Sequence, residues 1–176
     1  MSMRINWAIL LGLVLVIAEN AIVPWLIPPG WSDRLLPHLT FILTIFVAGY
    51  AGRHPAFLFG LGFGLLQDML AYGHLIGPYG FGMGLIGYLA GLLSEYKSYT
   101  ISLFSWVVLV FGLLLDSIVY SIYNLFRLTD LQFAHVFYWQ VAPTALLQLL
   151  IALLLYVPVR RYLVKASLSP GEDNPE

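Results

Sequence analysis

The chain consists of six apolar runs joined by short polar connections, and that pattern leaves few ways to fold. Of its 176 residues, 60% are hydrophobic and only 10% charged, whereas roughly a quarter of a soluble domain is charged. So few polar groups cannot cover a water-facing surface, so lipid is the expected solvent. A helix rising ~1.5 Å per residue needs ~20 residues to cross a ~30 Å hydrocarbon core. The runs that approach this length are about Ile5–Ile27, Leu35–Ala51, Pro55–Tyr72, Leu75–Leu93, Thr100–Phe126 and Phe137–Val157. The second and third are near the minimum and are also compatible with a re-entrant pair. The expected fold is an all-α integral membrane protein of six transmembrane helices.

Arg4 followed by an apolar stretch resembles a signal peptide. A signal core is ~7–15 residues long and ends at small residues. This stretch is longer and ends in Pro28-Pro29-Gly30-Trp31, so a retained helix is expected. With the N-terminus inside, Arg4, Arg53, Lys97, Arg160, Arg161 and Lys165 fall on the cytoplasmic side, and Arg34 and Arg127 outside. That asymmetry follows the positive-inside rule and puts both termini in the cytoplasm. No linker divides the chain. One transmembrane domain is expected over residues 1–166, followed by an acidic, Pro- and Ser-containing tail over 167–176 with the composition of a disordered segment.

Several function classes drop out. There is no basic stripe for nucleic acid. There is no cysteine for a disulfide, a thiolate metal site or a nucleophile. His38, His54, His74 and His135 are scattered at run ends without a chelating spacing, so neither a metal nor a cofactor is expected. Gly82-Met83-Gly84-Leu85-Ile86-Gly87 matches a dinucleotide fingerprint in letters only, since no strand precedes it. Nothing pairs a nucleophile with a base, so no enzyme is expected. Trp7, Trp25, Trp31, Trp106 and Trp139 lie near run ends, as an interfacial aromatic belt requires.

One phrase occurs twice. Phe63-Gly64-Leu65-Leu66-Gln67-Asp68-Met69-Leu70 returns as Phe111-Gly112-Leu113-Leu114-Leu115-Asp116-Ser117-Ile118, with Tyr72 and Tyr120 four residues after each Asp. A carboxylate inside a bilayer is costly and must face protein or water. Glu19 is a third such acid. Glu19 and Asp68 each stand fifteen residues beyond an inner arginine, Arg4 and Arg53, which is ~22 Å into the core at ~1.5 Å per residue. Asp116 lies slightly further along from Lys97. Glu19, Asn20, Gln67, Asp68 and Asp116 therefore form a candidate intramembrane polar network in the outer third. Its role is either an ion, proton or ligand site, or a set of hydrogen bonds from Asp68 and Asp116 to Asn20, Gln67, Ser117 or tyrosines. Glu19 is the weakest member, because it is also within reach of the outer interface.

The fourth run carries Gly73/Gly77, Gly80/Gly84 and Gly87/Gly91 at GxxxG spacing, and the third adds Gly60 and Gly64. Small residues at this spacing let backbones approach, so these two runs are expected to pack together, a partner's helix being the other use. Pro143 predicts a kink within the sixth run, which is expected to end at Pro158.

Pro37-His38-Leu39, the stretch Gly60–Leu70, Gly73-His74-Leu75-Ile76-Gly77 and Gly87-Tyr88-Leu89-Ala90-Gly91 together resemble the bacterial rod shape-determining MreD family. The likeness is best over residues 37–93 and extends more loosely to Asp116. It departs at His38, where the family often has an acid. The resemblance implies a non-enzymatic component of the cell-elongation machinery in the bacterial inner membrane. Such a component would bind an MreC-like bitopic protein, sit with RodA and its paired transpeptidase and indirectly with MreB, and help position lateral peptidoglycan synthesis. The family is also similar to the six-helix substrate-binding subunits of energy-coupling-factor transporters. The competing expectation is therefore a subunit that binds a vitamin or metal near Glu19, Asp68 and Asp116.

Overall fold

In a computed structural model, residues 2–21, 25, 38–70, 75–96, 100–129 and 132–167 are described. Among them the secondary structure is helical, with no strand. The helices are α1 (Ser2–Ala21), α2 (Leu39–Ala51), α3 (Arg53–Leu70), α4 (Pro78–Tyr96), α5 (Ile101–Leu125) and a composite α6. The last opens as Phe133–Val136, passes through a π-helical turn at Phe137–Val141 and continues as Ala142–Ser167. Pro143 follows that turn at once. It has no N–H to give the carbonyl one turn back, and the widened turn absorbs the mismatch where a kink was expected. The backbone stays helical through Pro158, so α6 runs past the end expected for it.

The short helix α2 occupies the centre. It has 13 residues, ~20 Å of rise, and Thr40 to Phe46 and Ala48 are buried. A helix apolar all round belongs in a core. Phe41, Ile42, Ile45 and Phe46 pack with Met83, Ile86 and Ala90 of α4, Phe104, Val108 and Leu115 of α5, and Ala152 and Tyr156 of α6. The Phe46 and Phe104 rings lie 4.6 Å apart, and those of Phe104 and Tyr156 5.1 Å apart. A second cluster joins Val16 of α1 to Leu43 and to Phe59 and Phe63 of α3. Only Gly52 separates α2 from α3, and its φ of 87° is one that a side chain would resist.

The outside of the bundle is apolar as well. Leu10, Val14 and Ile17 of α1 and Leu146, Leu150 and Leu154 of α6 are exposed. Monomeric soluble proteins rarely display apolar faces of this extent. Two helical stretches, Ile101–Leu125 and Phe133–Tyr156, are long and apolar enough to cross a membrane.

The closest packing is between α3 and α4, where glycines replace side chains on both surfaces. A Cβ at Gly60 would collide with the carbonyl of Met83, and one at Gly87 with the carbonyl of Ala56. At Gly64 it would lie 2.5 Å from the carbonyl oxygen of Tyr79. Gly91 meets the backbone of Arg53, while Gly80 and Gly84 meet Leu65 and Leu61. Gly77 does not belong to this surface. It lies in a bend before α4 with φ 127° and open space where a Cβ would be, and Gly73 lies outside the described residues.

Candidate functional site

Two helices of this bundle begin inside it, and each buried start has a carboxylate from the helix before it. At α4, Gly77 is the capping residue, since its carbonyl accepts from the Phe81 N–H at 2.7 Å. Glycine brings no capping side chain, and Pro78 has no N–H. The N–H groups of Gly77, Tyr79 and Gly80 donate instead to Asp68, at 3.0, 3.2 and 3.0 Å. Asp68 is 2% exposed. A carboxylate facing orphan donors at the positive end of a helix dipole is stabilised on both counts.

At α2 the capping residue is His38, whose side chain makes no capping bond of its own. Glu19 of α1 supplies the acceptor. Its Oε2 accepts from the Thr40 N–H at 3.3 Å and from Thr40 Oγ1 at 3.0 Å. Its Oε1 accepts from Gln67 Nε2 at 2.8 Å and meets His38 Nδ1 at 3.2 Å. Asn20 donates to Gln67 Oε1 at 3.5 Å and to the carbonyl of Val16 at 2.9 Å. Glu19 is therefore buried at the centre of the network rather than directed to an interface.

His38 ties the remaining helices to this centre. Its Nε2 lies 3.7 Å from Asp116 Oδ1, its carbonyl accepts from Gln148 Nε2 of α6 at 3.4 Å, and its ring lies 5.1 Å from that of Tyr79. Nδ1 is within hydrogen-bond reach of Glu19, whereas Nε2 faces Asp116 only at ion-pair distance. Side chains of α1, α3, α5 and α6 thus converge on the first residues of α2. No group of three or more side chains suited to a metal ion occurs among the described residues.

The two copies of the repeated phrase do different things. Asp68 bonds three backbone N–H groups, and Gln67 turns to Glu19. Asp116 caps no helix start among the described residues. One of its oxygens faces His38, and the other, Oδ2, is buried without a hydrogen-bond partner among the described residues. Ser117 bonds the carbonyl of Leu113 in its own helix. The Tyr120 ring lies 5.2 Å from that of Phe133, tilted by 55°, and Tyr72 lies outside the described residues.

From the sequence, His38 stands out only as one of four scattered histidines and as a departure from the family pattern, and Gln148 is not among the candidate residues. The signal for His38 is that it opens an apolar run at the end where Glu19 sits. Gln148 had a plainer signal, being the lone amide in the apolar stretch from Ala145 to Val157.

A family model for the rod shape-determining protein MreD matches residues 1–166. The chain belongs to the MreD family. No curated protein and no solved structure matches it. MreD proteins are a membrane-protein family of shape determination, so the chain has a role in determining rod shape. The match extends well beyond the central third where the likeness is easiest to read.

Proposed function

We propose that this protein is a non-enzymatic membrane scaffold of the cell-elongation complex, binding an MreC-like bitopic partner and helping position lateral peptidoglycan synthesis. The observation that carries the reading is the family match over residues 1–166. RodA, its paired transpeptidase and, indirectly, MreB are the further partners. The working topology is one six-helix domain over residues 1–166 in the bacterial inner membrane, both termini cytoplasmic, with 167–176 as a tail. The exposed apolar faces of α1 and α6 and the Arg53–Glu95 pair (3.6 Å, half-exposed) at the end where α3 begins and α4 finishes support it. In this reading the polar network is architectural. Glu19 and Asp68 hold two helix starts in place, and the glycine-faced α3–α4 pair makes a rigid body on which a partner can dock.

A vitamin- or metal-binding subunit is less well supported. Both Glu19 and Asp68 already accept several protein hydrogen bonds, which leaves them little capacity for a guest. The test is depletion in the source cell with affinity capture of the tagged protein. The scaffold reading expects rounded cells and an MreC-like partner in the eluate. Rods of normal shape after depletion, with no such partner captured, would reject it.

A further inference from the structure

The turn that ends α5 holds an arginine where helices usually place glycine. Arg127 has a φ of 55°, the one positive φ outside glycine among the described residues. It occupies the left-handed closing position of the helix. The Leu128 N–H donates back to the Tyr123 carbonyl at 2.9 Å, and the Phe126 and Arg127 N–H groups donate to the carbonyls of Ile122 and Asn124 at 3.1 and 3.0 Å. A side chain in that conformation costs free energy that glycine avoids. Strain kept at one residue points to a use for its side chain. Arg127 is exposed, and no acid pairs with it among the described residues.

The residues on either side of this cation are apolar and open. Leu125, Phe126 and Leu128 are 78%, 58% and 46% exposed. The charge therefore stands among greasy side chains at the tip of α5, not on a polar surface. Across the turn, Phe133 is exposed at the start of α6, and Tyr138 and Trp139 are exposed further along it. Along α5, Phe126 stands twenty residues beyond the exposed Trp106. That is ~30 Å, the thickness of a hydrocarbon core. With Trp106 at one interface, the Phe126–Leu128 turn lies at the other, at the level of the headgroups. Either orientation of the bundle gives this placement.

We propose that the Phe126-Arg127-Leu128 turn is a binding point for an anionic phospholipid. Phe126 and Leu128 enter the acyl boundary, and the Arg127 guanidinium holds the headgroup phosphate. A guanidinium meets phosphate with paired N–H donors. An anionic headgroup leaves the phosphate charge uncompensated, whereas a choline headgroup carries its own cation. The bound lipid ties the corner between α5 and α6 to the bilayer. This asks only that the bundle lie in a membrane, and it stands apart from the scaffold role.

The test uses the full chain in nanodiscs of phosphatidylcholine mixed with phosphatidylglycerol, a trace of the latter carrying a photoreactive headgroup, with cross-links mapped by mass spectrometry. Arg127→Gly is the main variant, because glycine accepts the left-handed backbone. In phosphatidylcholine alone it should melt no lower than the wild type. In the mixture its cross-linking to residues 125–129 should fall about fivefold, the enrichment one basic group gains beside an anionic surface. Cross-linking at Arg160 and Arg161 should stay unchanged. Arg127→Lys should keep most of the signal. Arg127→Asn also tolerates the turn and should lose it, which keeps the comparison if the glycine variant does not fold. Equal cross-linking in the wild type and the neutral variants would overturn the proposal, the exposed turn then being a contact for a protein partner. So would a wild-type turn that phosphatidylglycerol labels no more than photoreactive phosphatidylcholine does.

Discussion

Replacing Asp68 by alanine removes one side chain and orphans three backbone N–H groups. The Gly80 bond is buried, and those of Gly77 and Tyr79 are partly buried. A buried donor left without an acceptor costs ~1–3 kcal/mol, and losing a helix cap with some access to water costs ~1 kcal/mol. One buried and two partly buried donors together give a loss of ~4 kcal/mol. For a chain of this size that corresponds to about 8–16 °C in melting temperature. Asp68→Asn is the diagnostic companion. Its single oxygen can accept two of the three N–H groups, while its NH2 confronts the third donor. It should lose about half as much, ~2 kcal/mol. The assay is equilibrium unfolding in lipid bicelles followed by tryptophan fluorescence. A loss under ~1 kcal/mol for Asp68→Ala would refute the capping argument. If Asp68→Asn lost as much as alanine, charge rather than acceptor count would be the cause.

The remaining predictions concern the other parts of the bundle. Gly87→Leu drives a side chain into the Ala56 carbonyl and should prevent α3 and α4 from closing, read as loss of folded protein on extraction. Gly62→Ala meets nothing within 4 Å and should be neutral or stabilise by ~0.5–1 kcal/mol, since helical glycine is costly; the same unfolding assay separates the two. Glu19→Gln sets an NH2 among donors from Thr40 and Gln67 and should lose ~2–3 kcal/mol. Combined with His38→Asn it should show a coupling energy of ~0.5–3 kcal/mol in a double-mutant cycle.

How much of this was legible depended on the kind of signal. The helices α3 to α5 follow from apolar run length, which is a property of the residues themselves. Their ends moved by a few residues where a local device decided: Gly77 and Pro78 start α4 later than its apolar run does, and His38 starts α2 after Pro37. The glycine pairing of α3 and α4 was readable because GxxxG spacing repeats on a face. What spacing could not give was which group answers which. Asp68 bonds backbone nine to twelve residues ahead, and backbone donors leave no mark in a sequence. The meeting of Glu19 with His38, and of His38 with Gln148, spans 19 and 110 residues. Such meetings depend on the folding of the whole bundle about α2.

The repeated phrase sets the sharpest contrast between letters and geometry. By sequence, Asp68 and Asp116 are equivalent, and removing either charge should have the same effect. The structure makes them unequal for a physical reason: α4 starts buried directly after α3 and needs an acceptor, whereas α6 opens with Phe133 and Ala134 exposed and can be met by solvent or headgroups. Asp116 is thereby released from capping and holds one long contact to His38, beyond ordinary hydrogen-bond reach. Asp116→Asn should therefore change stability by less than ~1 kcal/mol, against ~2 kcal/mol for Asp68→Asn. Equal losses in the two variants would mean that the repeat carries one function twice, and that the assignment of Asp68 as cap and Asp116 as free acid is mistaken.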